Sequence, residues 1–61
     1  MTGVIVCRDE REYQDVIALL KEHNIFEMAT TDQDECEHWT HQLYPGVPYD
    51  DGDAYGSVFV G

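Results

Sequence analysis

This sequence has almost no positive charge. Its 61 residues hold three Lys or Arg against thirteen Asp or Glu, a formal net charge of -10 at pH 7. Arg8, Arg11 and Lys21 all fall in the first third, and from Glu22 to Gly61 there is no Lys or Arg. Such a chain repels phosphate backbones and anionic lipid, which argues against direct contact with nucleic acid or a membrane surface. Long apolar runs are also missing. Nothing approaches the ~18 consecutive apolar residues of a membrane span. The opening Met1-Thr2-Gly3-Val4 lacks the basic region and apolar stretch of a secretion signal. An intracellular, cytoplasmic location is therefore expected. There the two cysteines, Cys7 and Cys36, would be reduced thiols rather than a disulfide. The five glycines are scattered, so no phosphate-cradling loop is present. Internal repeats and low-complexity linkers are absent too.

What is present is enough apolar material for a core. Hydrophobic residues make up 43% of the chain, with Trp39, four tyrosines and two phenylalanines. Disordered acidic segments are poor in aromatic and β-branched residues. The length fits one small domain, of a size that buries only about 60% of the surface its unfolded chain exposes.

Hydrophobic spacing gives the elements. Val4-Ile5-Val6 is a continuous β-branched run, the pattern of a strand covered on both faces, so it is expected at the centre of a sheet. Asp9 followed by Glu12 forms a capping-box-like start. Tyr13, Val16, Ile17 and Leu20 then recur at helical spacing, predicting a helix over about 10–23 that ends at Asn24. Ile25 to Thr30 reads as a second strand, with Phe26 and Met28 on one face and Glu27 on the other. Its short links to the first helix suggest a right-handed crossover. Thr31 or Asp32 can cap a second helix over about 32–43, with Cys36, Trp39 and Leu43 turned inward. Tyr44-Pro45-Gly46 stops that helix, Val47-Pro48-Tyr49 is extended, and Asp50-Asp51-Gly52-Asp53 is a turn. Tyr55 to Val60 is a last strand that pairs with the first or lies at an edge. The expected fold is a small α/β domain, with α+β left open, in which helices pack on a three-stranded sheet in β-α-β-α-β order. Expected core residues are Val4, Val6, Tyr13, Val16, Ile17, Leu20, Phe26, Met28, Trp39, Leu43, Val58 and Val60.

Four constellations bear on chemistry. Cys36, His38 and His41 are zinc-type ligands, but on a helix both histidines face away from Cys36. The Asp50–Asp53 turn is acidic enough for calcium, yet the position six beyond Gly52 is Val58, not the closing glutamate such a loop needs. Cys7 lies just before a helix N-terminus, where a thiol pKa can fall. No oxyanion loop or third orienting group accompanies it, so no enzyme and no cofactor is expected. The fourth constellation is the acidic surface: Asp32, Asp34, Glu35 and Glu37 on one helix, then Asp50, Asp51 and Asp53 beside Tyr49. Carboxylates one helical turn apart are about 5–6 Å from each other. Duplex DNA presents a phosphate charge every ~1.7 Å of its axis. The expected partner is thus a basic nucleic-acid-binding protein such as a polymerase, nuclease, nucleoid protein or defence complex. In size and charge the chain resembles the small acidic inhibitors that viruses and mobile elements direct at such host proteins. A zinc-binding module is one alternative. A regulatory or assembly subunit using a free strand edge, including a homodimer, is another.

Overall fold

The computed structural model describes residues 1–61. In chain order the elements are β1 (Gly3–Cys7), α1 (Glu10–Glu22), β2 (Phe26–Thr30), α2 (Gln33–Leu43) and β3 (Gly56–Val60). The strands form one sheet in the order β1-β3-β2, with β3 antiparallel to both neighbours. β1 and β2 therefore run parallel, one strand apart, and the last strand of the chain fills the gap. The expected β-α-β-α-β order and the packing of both helices on a three-stranded sheet are what the chain adopts.

The helices start where their caps are. Asp9 Oδ1 accepts the Glu12 amide at 2.8 Å, and Glu12 Oε1 in return accepts the Arg8 amide at 2.9 Å. Asp32 Oδ1 accepts the Asp34 amide at 2.9 Å and opens α2. Acidic residues fill the first turn of each helix, where the dipole favours them. α1 ends as Asn24 turns left-handed, with φ +57°.

The expectation that Val4–Val6 is central fails. β1 is an edge strand, and Ile5 is 37% exposed. β3 takes the centre because both of its faces are covered. Its residues alternate between the two sides of the sheet. Val58 joins Cys7, Tyr13 and Leu20 in the core under α1, where Val60 also packs. On the opposite face Ser57 Oγ lies 3.6 Å from Cys36 Sγ, and Phe59 meets the edge of Trp39 at 5.8 Å between centroids. The molecule is thus three layers deep, α1 over one face and α2 over the other.

β2 departs from the predicted alternation. Phe26 pairs with Val60 but Met28 pairs with Phe59, so a bulge at Glu27 puts Phe26 and Met28 on opposite faces. Phe26 packs toward α1. Met28 lands on the face that carries α2, but α2 leans on β3 and β1, and Met28 stays 52% exposed. Leu43, in the last turn of α2, is likewise exposed. Neither belongs to the core, whereas Cys7, Cys36, Ala54 and Phe59 do.

Gly56 sits directly against the Tyr13 ring of α1. A Cβ there would lie 2.6 Å from Tyr13 Cε1 and 2.7 Å from the Thr30 carbonyl oxygen. The Tyr13 ring takes that space and meets Tyr55 edge-on, with centroids 5.1 Å apart. Gly56→Ala is expected to destabilise the fold by about 3 kcal/mol, because a backbone oxygen cannot yield as a side chain can. Urea unfolding of the variant measures this.

Candidate functional site

The two acidic clusters are far apart in sequence and adjacent in space. The residue that joins them is Gln33, the first of α2. Its Nε2 donates to the Ala54 carbonyl at 3.0 Å, and its Oε1 accepts the Gly52 amide at 2.8 Å and the Tyr49 hydroxyl. One amide side chain thereby holds both ends of the acidic turn. The turn also closes on itself: the Asp50 amide donates to Asp53 Oδ2 at 2.9 Å, and the Asp53 amide donates to the Asp50 carbonyl at 3.0 Å. Gly52, at φ +94°, supplies the left-handed step this closure requires. Asp50, Asp51 and Asp53 are therefore docked against the first turn of α2, which carries Asp32, Asp34 and Glu35.

All seven carboxylates named from the sequence are exposed, and Tyr49 is half-buried. Three have structural duties. Asp32 caps α2, Asp53 closes the turn, and Glu35 Oε2 accepts the Trp39 indole N–H at 3.1 Å. The side chains of Asp34, Glu37, Asp50 and Asp51 have no intramolecular partner. No cation neutralises any of the seven. The ion pairs of the molecule lie elsewhere, between the Met1 amino group and Glu27 at 3.1 Å and between Arg11 and Asp15 at 4.0 Å. Burial raises the Tyr49 hydroxyl above its ordinary pKa, and Asp51 and Asp53 push it the same way. Of the aromatic residues near this surface, Tyr49 is tied to Gln33 and Trp39 to Phe59, while Tyr44 is 59% exposed.

Gln33 carries no sequence signal of its role. Its partners lie 16 to 21 residues away in a segment without regular structure. The only hint is that it is the one neutral residue between Asp32 and Glu35, with a donor and an acceptor on one planar group.

The other constellations do not assemble. Cys36 is fully buried beneath α2 against Ser57, while His38 and His41 project from its exposed side. No three His, Cys, Asp or Glu side chains come together in a way that could hold a metal ion. A position before a helix N-terminus can lower a thiol pKa, but that of Cys7 moves upward. Burial, with Glu12 close by, pushes this thiol from its ordinary 9.0 to about 11. Cys7 ends a strand near the start of α1 but is buried in the core, where loss of water disfavours the thiolate and nearby carboxylates disfavour it further. No helix is long and apolar enough to cross a membrane. No protein-family model matches the chain, and neither a curated protein nor a solved structure matches it.

Two outcomes follow from this geometry. Gln33→Leu keeps the helix start but leaves the Gly52 amide and the Ala54 carbonyl without partners, at a cost of about 2 kcal/mol. Hydrogen exchange at Gly52 should accelerate while exchange within β3 falls only as far as global stability does. The Cys7 thiol binds its proton more tightly folded than unfolded, so its contribution to stability is complete below pH 9 and declines as pH rises toward about 11. Urea midpoints of the wild type and of Cys7→Ala should therefore converge over that interval.

Proposed function

We propose that this protein is a non-enzymatic acidic binder that occupies the nucleic-acid-binding surface of a basic partner protein. The observation that carries the reading is the union of the two clusters into one surface of unneutralised carboxylates, fixed by Gln33. A flexible acidic tail would lose ordering entropy on binding, whereas here the charges are held in place beforehand. Preorganised charge of one sign steers a partner of the other and sets its register. An inhibitor of this kind, virus-encoded or of similar origin, would act inside the cell where polymerases, nucleases, nucleoid proteins and defence complexes work. The two thiols are buried while the histidines are exposed, so no thiol–imidazole pair of the kind nucleophilic catalysis uses supports a catalytic reading.

The test combines a variant with a competitor. Asp34→Asn, Glu37→Gln, Asp50→Asn and Asp51→Asn together spare the cap at Asp32, the closure at Asp53 and the Glu35 contact to Trp39. This protein should fold at least as well as the wild type, since self-repulsion falls. It should lose its partner by about a hundredfold or more. Immobilised wild type should retain nucleic-acid-binding proteins from a lysate, and free duplex DNA or RNA should elute them. Partners that remain bound in molar salt, or that nucleic acid does not displace, would overturn the reading.

A further inference from the structure

One edge of β1 has no neighbour. The strand pairs with β3 through five consecutive registered residues without a bulge, and its other side is free. Edges of this kind are usually guarded by a Lys, a Pro or a bulge. β2 has its bulge at Glu27; β1 has none of these, and no charged side chain occurs from Thr2 to Cys7. In a molecule of charge -10, this free edge carries no charge of its own to keep another strand away.

Beside that edge lies a groove of about 420 Å³ between β1, the end of α2 and the segment that follows it. Val6 of β1 and Arg8, the residue after that strand, line it together with Tyr44, Val47, Pro48 and Tyr49. Tyr44 is 59% exposed and Val47 50%, so apolar surface here faces water. Asp53 also lines the groove, and Asp50 and Asp51 continue from it along the same turn. The groove therefore opens onto the acidic surface.

We infer that an extended segment of the basic partner adds to β1 as a fourth strand, seats one apolar side chain in this groove and places flanking Lys or Arg residues against Asp50, Asp51 and Asp53. Strand addition of this type takes affinity from main-chain hydrogen bonds and specificity from a pocket for alternate side chains. Charge selects the occupant. A second copy of the chain would bring two bodies of charge -10 together, whereas a basic segment is attracted. The lining selects the seated side chain. Val6, Val47, Pro48 and Ala54 offer an apolar group its contacts, while the carboxylate of Asp53 lies within reach of a flanking cation. The inference rests on the polyanion reading, and it names where and in what conformation the partner is held.

The probe is the peptide Lys-Lys-Val-Phe-Val-Lys-Lys, which puts the Phe and two lysines on one face of a strand; heptalysine is the electrostatic control. Both are titrated into isotopically labelled protein and followed by amide NMR. The mixed peptide should bind about tenfold tighter than heptalysine despite its lower charge, a difference of ~1.4 kcal/mol. It should shift amides from Val4 to Arg8 and from Val47 to Ala54 and slow exchange along β1. Val47→Arg, at an exposed site, and Tyr44→Ala should each bring its affinity down to that of heptalysine. Equal affinities, with shifts confined to Asp32–Glu37 and Asp50–Asp53, would overturn the inference and leave the polyanion reading standing. Failure of both peptides to bind at low salt would overturn both. A stable dimer that buries β1 in light scattering and NMR would overturn the inference alone.

Discussion

The whole molecule hangs on β3. β1 and β2 do not touch; each pairs only with the last strand, and each helix has its floor there. Five residues, Gly-Ser-Val-Phe-Val, thus hold a three-layer body together. Their composition suits the position. Two helices can close on both faces of so short a strand only if some of its side chains give up space. Gly56 yields to the Tyr13 ring and Ser57 to Cys36. Val58 and Phe59 then fill what remains on either side. Until this last strand is in place, neither helix has a sheet to cover, and folding must close the longest loops before it gains its best contacts.

Charge is partitioned along the same lines. β1 and β3 carry no charged side chain, and β2 carries only Glu27, which the bulge delivers to the Met1 amino group. The remaining carboxylates sit on helices, caps and turns, where water screens them. The fold tolerates a net charge of -10 because no carboxylate lacking a partner is buried. What it does not do is spread that charge evenly. The Gln33 contacts hold the acidic turn against the start of α2, so the charge of the second half of the chain is concentrated there.

Much of the fold was legible in the sequence. Period and capping located both helices to within a residue or so, since Tyr13, Val16, Ile17 and Leu20 leave little choice and Asp9 and Asp32 mark the starts. Strand order was not legible. Val4-Ile5-Val6 looks like a central strand by hydrophobicity alone, and a strand opening with Gly and Ser looks like an edge. The reverse holds because packing distance, which depends on small residues, outweighs side-chain hydrophobicity at the point where two helices press on one strand. The Glu27 bulge hid the facing of Met28 for a related reason: one extra residue inverts the alternation, and nothing local announces it. The acidic residues of the candidate surface could be named in advance, but their union could not, because it depends on a glutamine reaching a turn far along the chain.

The antiparallel insertion of β3 also settles where the two chain ends lie. Gly3 pairs with Val60, Phe26 pairs with Val60 from the other side, and the Gly61 amide donates to the Ile25 carbonyl at 2.8 Å. Met1 and Gly61 thus share one pole of the sheet. Both helix caps and the Asp50–Asp53 turn follow Cys7 and Thr30 or precede Gly56, at the opposite pole. Anything joined to either terminus, whether a resin, a tag or a neighbouring domain, emerges from the far side and leaves the anionic pole presented outward.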